Sequence, residues 1–267
     1  MNLLRSSQFA AGRALALFVL LLSAAVGLMT GCAGRPSSVA SSSASVLEES
    51  SDECLRADGG CLGVLAPGAY ESVHFTTFSE PSLGQFSYVV DASWANALDH
   101  TPAYWLQRAD AYAASNGDAQ LPGVYIWGDV AAAAQTFPSC PEESDPAGPT
   151  EAADLLAWMT TLPGVIATPI SAQIGGTTVD GLDIVVDPAT SSTCYGSVPV
   201  VLLIAGRQGA PDPYLWGVTS PERAQVFLLD LGGGHTAAVF IQAPTAEFDA
   251  LLTPAKDLIA TFKFTAP

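Results

Sequence analysis

The sequence predicts an α+β domain: many antiparallel β-strands with one or two covering helices, one of them at the C-terminus. Three observations carry this. Short alternating runs rich in Val, Thr, Tyr and Phe, bounded by Gly and Pro, recur through residues 69–242. Gly175-Gly176 and the triple Gly232-Gly233-Gly234 sit between such runs as hairpin signals. The last apolar segment then changes period: Phe248, Leu251, Leu252, Ala255, Leu258, Ile259 and Phe262 recur at three- and four-residue steps, the stripe of an amphipathic helix. Strands joined by tight turns pair antiparallel, and the helix needs a sheet face to bury its stripe.

In chain order, residues 69–77 read as a first strand through Tyr70, Val73, Phe75 and Thr76. After Pro81 and Gly84, residues 85–90 place Phe86, Tyr88 and Val90 on one face. Residues 103–107 and 124–127 are short aromatic-rich strands. Residues 137–149 hold four prolines and Cys140, a pinned loop. Thr150 is placed to cap a helix, Glu151 and Asp154 complement its N-terminus, and Leu155, Leu156 and Met159 form its apolar face until Pro163-Gly164. The second half reads as a meander: residues 170–174, 177–186, 198–205, 214–218, 225–231 and 235–242. Of these, 198–205 is apolar throughout, as a central buried strand is. A helix over 245–261 follows, with Pro254 expected to kink it or to start its second part, and residues 262–265 form a last short strand.

The first residues set an expected location. Arg5 and Arg13 precede an apolar run over 14–29 that ends in Thr30-Gly31-Cys32, the layout of an export signal. Small residues before a cysteine and a Ser/Gly/Pro-rich stretch after it resemble a bacterial lipobox, with Met29 standing where that pattern usually has Leu. The resemblance implies a lipid on Cys32, removal of a signal peptide 1–31, and a protein on the outer face of the bacterial cytoplasmic membrane. An uncleaved membrane helix and conventional cleavage after Ser23-Ala24-Ala25 are the alternatives, and both also place the body outside that membrane. Residues 32–53 are rich in Ser, Gly and acidic side chains and read as a flexible linker. Residues 54–267 then form one extracytoplasmic domain.

Charge excludes a class of partners. Loss of residues 1–31 removes two of nine basic residues and none of 26 acidic ones, leaving a net charge of −19. Such a surface repels phosphate backbones, so no nucleic-acid partner is expected, and contact with the membrane is expected through the lipid alone. Four cysteines follow Cys32: Cys54, Cys61, Cys140 and Cys194. An even number in an exported chain reads as two disulfides, and closeness in sequence favours Cys54–Cys61, which leaves Cys140–Cys194.

Three segments resemble secreted PsbP/Mog1-like domains. Residues 84–94, running Gly-Gln-Phe-Ser-Tyr-Val-Val-Asp-Ala-Ser to Trp94, look like their strand-then-Trp opening; Val179-Asp180-Gly181-Leu182-Asp183 is similar to a mid-domain strand with a central Gly; and residues 248–264 are similar to their C-terminal helix and Phe-rich strand. The layout is also similar to actinobacterial-type secreted lipoproteins of uncharacterised activity. The resemblance implies a curved sheet between helices and no particular activity, since one fold hosts unrelated functions.

Motifs for chemistry are sparse. The chain holds no G-x-S-x-G and no S-x-x-K. Gly232-Gly233-Gly234-His235 lacks the Lys of a phosphate loop and reads as a hairpin turn in which His235 begins a strand. Asp180, Asp183 and Asp187 lack calcium-loop spacing and read as a solvated strand face. No catalytic or metal residue and no cofactor is assigned. Trp94, Trp105, Tyr125 and Trp127 are the candidate ligand-contact aromatics, with core packing as their ordinary use. The expected function is a non-enzymatic, lipid-anchored binding or assembly domain for an envelope protein or a small ligand. An envelope hydrolase and a small-ligand carrier using the Trp94–Trp127 region are the alternatives.

Overall fold

The structure, a computed structural model, describes residues 62–78, 82–115, 122–196 and 198–265. Cys32, Cys54 and Cys61, the signal segment 1–31 and the whole linker 32–53 lie outside the described residues. All of the described residues belong to the unit Leu47–Pro267. In chain order they form β1 (Gly63–Val64), β2 (Gly68–Glu71), β3 (Phe86–Val90), β4 (Trp94–His100), β5 (Ala103–Arg108), α1 (Ala109–Ala114), β6 (Gly123–Trp127), β7 (Val130–Ala132), α2 (Ala152–Met159), β8 (Val165–Ile174) and β9 (Thr177–Val186). They continue as β10 (Ser192–Thr193), β11 (Pro199–Gly206), β12 (Leu215–Thr219), β13 (Glu222–Gly232), β14 (His235–Pro244), α3 (Thr245–Ala260) and β15 (Lys263–Phe264). The protein is thus mostly antiparallel β-sheet with few helices, one of them C-terminal.

The main sheet has eight strands in the order β1-β4-β5-β6-β14-β13-β9-β8. Its central strands, β6 and β14, are buried on both faces, and the two-residue period of a strand divides their side chains cleanly. Val124, Ile126, Val239 and Ile241 enter one core, while Tyr125, Trp127, Ala238 and Phe240 enter another. The first core is closed by α3 and by a small sheet, β2-β3-β15, which adds Phe86 and Tyr88. The second is closed by α2, through Leu155 and Met159, and by a sheet of β7, β10, β11 and β12. The covering layers are therefore sheets as well as helices, because a sheet apolar on both faces needs two covers and the three helices of the described residues do not supply both.

The meander is interrupted. β9 and β13 are neighbours in the main sheet, but the chain between them leaves to build β10–β12. The apolar run expected as a central strand is central, as β11, in this second sheet: Val201, Leu203 and Ile204 face the second core, and Val200, Leu202 and Ala205 face a third cluster around Cys140. The first expected strand is shorter than its β-rich sequence suggests. The Asp99 carboxylate accepts hydrogen bonds from the backbone N–H groups of Val73, His74 and Phe75 at 2.8–2.9 Å, which takes these groups out of any ladder. Helix α2 begins after Glu151 with no side-chain cap, one residue later than Thr150 was placed to cap it. The Thr150 carbonyl instead accepts from the Thr236 hydroxyl at 2.8 Å.

Pro254 lies inside α3, which runs unbroken over 16 residues. The bond Pro254 cannot donate belongs to the carbonyl of Ala250, an exposed residue where water can serve. Phe248, Leu251, Ala255, Leu258 and Ile259 are buried on either side of it, so packing holds both halves in one helix. Arg223 of β13 ties this helix to the sheet: it pairs with Asp183 through two 2.8 Å hydrogen bonds, reaches Asp249 at 3.3 Å, and lies 4.6 Å over the Phe248 ring. Asp183 is therefore an ion-paired residue under α3, not part of a solvated face. Asp180 stays exposed, and Asp187 accepts from Ala189 N–H in a turn.

Two outcomes follow from this packing. Leu258→Ala should cost about 2–5 kcal/mol by urea unfolding, whereas Lys256→Ala, off the buried stripe, should leave the midpoint nearly unchanged. Burial pushes the Asp183 carboxyl up, but hydrogen bonds from Arg223 and Gln225 and the nearby charge outweigh it and hold the group below its ordinary value. A carboxyl depressed in the folded state stabilises above its unfolded pKa of about 3.9 and loses that contribution as pH falls through the folded value. Asp183→Asn should therefore be less stable than the parent at neutral pH, and the gap should close on acidification in a pH series of unfolding midpoints.

Candidate functional site

The chain leaves the main sheet for the second sheet at Gly128-Asp129, between β6 and β7. Asp129 has φ +59, a conformation that Asp tolerates better than most side chains. Its backbone carbonyl accepts from Arg207 N–H at 3.2 Å, which joins the end of β11 to this corner. The neighbouring Gly128 carbonyl accepts from the Tyr214 hydroxyl at 3.0 Å. Burial first and the Asp129 charge second push the Tyr214 phenol up, so it stays a donor.

The Asp129 side chain is only 3% exposed. A buried carboxylate is costly unless it is paired and hydrogen-bonded. Two partners come from distant parts of the chain. His235 Nδ1, at the start of β14, lies 2.7 Å from Oδ1, and Arg207 Nη1 lies 3.6 Å from the same oxygen. A carboxylate only accepts, so Nδ1 carries the proton and the imidazole is fixed by that bond. Arg207 Nη1 also lies 3.4 Å from His235 Nδ1; both are donors, and they approach because both converge on Oδ1. The triple glycine makes this possible: Gly232, Gly233 and Gly234 all have positive φ and close the β13–β14 hairpin, which delivers His235 to the corner. The turn reading of the glycines is correct, and His235 serves more than the start of a strand.

These groups open into a cleft of about 410 Å³. One wall is the expected pinned loop. The loop is laid along β7 by Asp145 N–H to Ala132 O at 2.9 Å and Ala132 N–H to Pro149 O at 3.0 Å. A Cβ on Gly148 would lie 2.6 Å from the Ala132 Cβ, so only glycine allows this approach. The Cys140–Cys194 disulfide anchors the loop at its other end. Closing a segment of 54 residues contributes about 4 kcal/mol on the loop-entropy model. Arg207, Gln208, Gly209, Ala210, Pro211 and Phe78 line the cleft as well.

The candidate aromatics divide. Trp94 is buried in the first core with Arg108 5.6 Å over its ring, away from the others. Trp105, Tyr125 and Trp127 meet Trp216 at ring distances of 5.0–5.7 Å and fill the space between the main and second sheets. Trp127 stacks on Tyr214 at 4.6 Å, which places that pair beneath the Asp129 corner. None of the four lines the cleft. Asp129, Arg207 and His235 were not singled out together by sequence, since His235 and Asp129 are 106 residues apart. The local signals were Gly128-Asp129 directly after a strand and the triple glycine before His235. A second cleft of about 530 Å³ lies between α2, the β8–β9 turn and β15, but no buried ionic cluster opens into it. Among the described residues no three His, Cys, Asp or Glu side chains are grouped as metal ligands.

No protein-family model and no curated protein sequence matches the chain. The structure is similar to the solution structure of cyanobacterial PsbP (CyanoP) from Synechocystis sp. PCC 6803, with 7% identity, a TM-score of 0.33, and coverage of 78% of this chain and 98% of that one.

His235 shields a buried charge, so His235→Ala should lower stability by about 1–3 kcal/mol, the cost of leaving a buried acceptor under-bonded. Chemical denaturation checks this. A hairpin that used His235 only as a strand residue would show no change.

Proposed function

We propose that the chain is a lipid-anchored binding domain at the outer face of the bacterial cytoplasmic membrane, and that the Asp129–Arg207–His235 cleft is its ligand site. The signal peptide 1–31, the lipid on Cys32 and the linker 32–53 belong to this reading and rest on the sequence pattern. Among the described residues no helix is long and apolar enough to cross a membrane. We further infer a PsbP/Mog1-like kinship for the domain. What supports it is that the three resembling segments supply Phe86, Tyr88 and Trp94, then Val179, then Phe248, Leu258 and Phe262 to a single core.

The observation that carries the binding reading is the use of Arg207. Its Nη1 serves Asp129, while its Nε and Nη2 make no hydrogen bond or ion pair with the described residues, and its side chain is 28% exposed at the cleft. A guanidinium fixed by one nitrogen and open along its fork is placed to hold a ligand. The rest of the lining mixes apolar Phe78, Ala131, Pro146, Ala210 and Pro211 with polar Asp145, Thr150 and Gln208, the combination common in ligand clefts. One observation favours a second reading, an envelope hydrolase: Asp129 orients His235 through Nδ1 as the partner of a general base is oriented.

Protein purified from its own membranes should release a bound small molecule on denaturation, detected by mass spectrometry, and Arg207→Ala should lose it. Equal recovery from both proteins would move the ligand site elsewhere. Steady hydrolysis of p-nitrophenyl butyrate that disappears in His235→Ala would favour the hydrolase. For the anchor, Cys32→Ala should leave the membrane fraction or keep an unprocessed N-terminus; an unchanged N-terminus and unchanged fractionation would replace the lipid with an uncleaved helix.

A further inference from the structure

Two side chains of opposite sign in the cleft lining keep hydrogen-bonding capacity among the described residues. One is Arg207, whose Nη1 pairs with Asp129 at 3.6 Å. The other is Asp145, half-buried in the disulfide-anchored loop. Its Oδ1 accepts from Ala147 N–H at 2.9 Å and so fixes the turn, while Oδ2 has no partner among the described residues. Both residues line the same cavity.

The charge of the lining narrows the ligand. Two carboxylates, Asp129 and Asp145, share the lining with one guanidinium, Arg207. A simple anion would meet Arg207 but face the uncompensated Asp145 and the acidic protein around it. A simple cation would meet Asp145 but confront the open guanidinium edge. A molecule bearing both charges answers both groups, and Phe78, Pro146, Ala210 and Pro211 offer apolar contact for its body. We propose that the cleft binds a small zwitterion, an amino acid or short peptide, with its carboxylate in two parallel hydrogen bonds on Arg207 and its ammonium group on Asp145. This deepens the binding reading of the same cleft and rests on it.

The test is saturation-transfer NMR on the full chain in detergent micelles, with the proteinogenic amino acids and their dipeptides as probes. Their C-terminal amides and their deaminated acids serve as matched controls. Free zwitterions should bind, and the amide and deaminated forms should be about 30-fold weaker or more, as expected when one partner of a desolvated charge pair is removed. Asp145→Asn keeps the Oδ1 acceptor of the turn and should lose the preference for the ammonium group. Arg207→Lys keeps the charge but not the fork and should lose carboxylate binding. No transfer to any free amino acid or dipeptide, or equal binding of the amide and deaminated forms, overturns the zwitterion. Deaminated acids that bind alone and are lost in Arg207→Lys overturn the zwitterion while keeping the cleft as the ligand site. Probe binding indifferent to both substitutions overturns the cleft as well.

Discussion

The burial of one carboxylate organises the architecture. Asp129 sits where the chain turns out of the eight-stranded sheet, at φ +59 and 3% exposed. Its backbone receives the end of β11, and its side chain receives His235 and Arg207. Taken out of water, that charge must be paired where it stands. The start of β14, the corner after β6 and the end of β11 are thereby fixed together. The cleft is the space left beside the joint, and its reactive groups are those the carboxylate recruits. The three side chains that meet at this joint also line the cleft.

The second constraint is geometric. β6 and β14 carry apolar residues at odd and even positions alike, so neither face can meet water. One face takes α3 and the small β2-β3-β15 sheet; the other takes α2 and the sheet built on β11. The excursion between β9 and β13 exists to supply that second cover. The ring cluster of Trp105, Tyr125, Trp127 and Trp216 is the interior of this contact, which is why aromatics concentrated in sequence do not gather around the cleft.

What was legible in the sequence depends on range. Local periodicity gave the C-terminal helix, both glycine hairpins, the Phe86–Tyr88–Val90 face and the pinned loop, because each is decided within a few residues. The Cys140–Cys194 bond is formed as expected. Pro254 does not end the helix, since packing on both sides of it outweighs one missing hydrogen bond. The shortened first strand depends on Asp99 reaching back 24 to 26 residues, and nothing in residues 69–77 signals it. The Asp129–His235 pair joins residues 106 apart and becomes visible only when two sheets meet. Aromatic density, by contrast, was the louder signal and marked core.

The central claim is that Asp129 and His235 act as one unit rather than as two independent residues. A double-mutant cycle of Asp129→Asn and His235→Ala measures this by urea unfolding. Asn keeps the size of Asp129 and its tolerance of positive φ while removing the charge. Residues in one buried network couple by about 0.5–3 kcal/mol. The account predicts a coupling in the upper half of that range, with His235→Ala nearly harmless once Asp129 is Asn. Strict additivity of the two substitutions would contradict it and reduce the pair to neighbours at a turn.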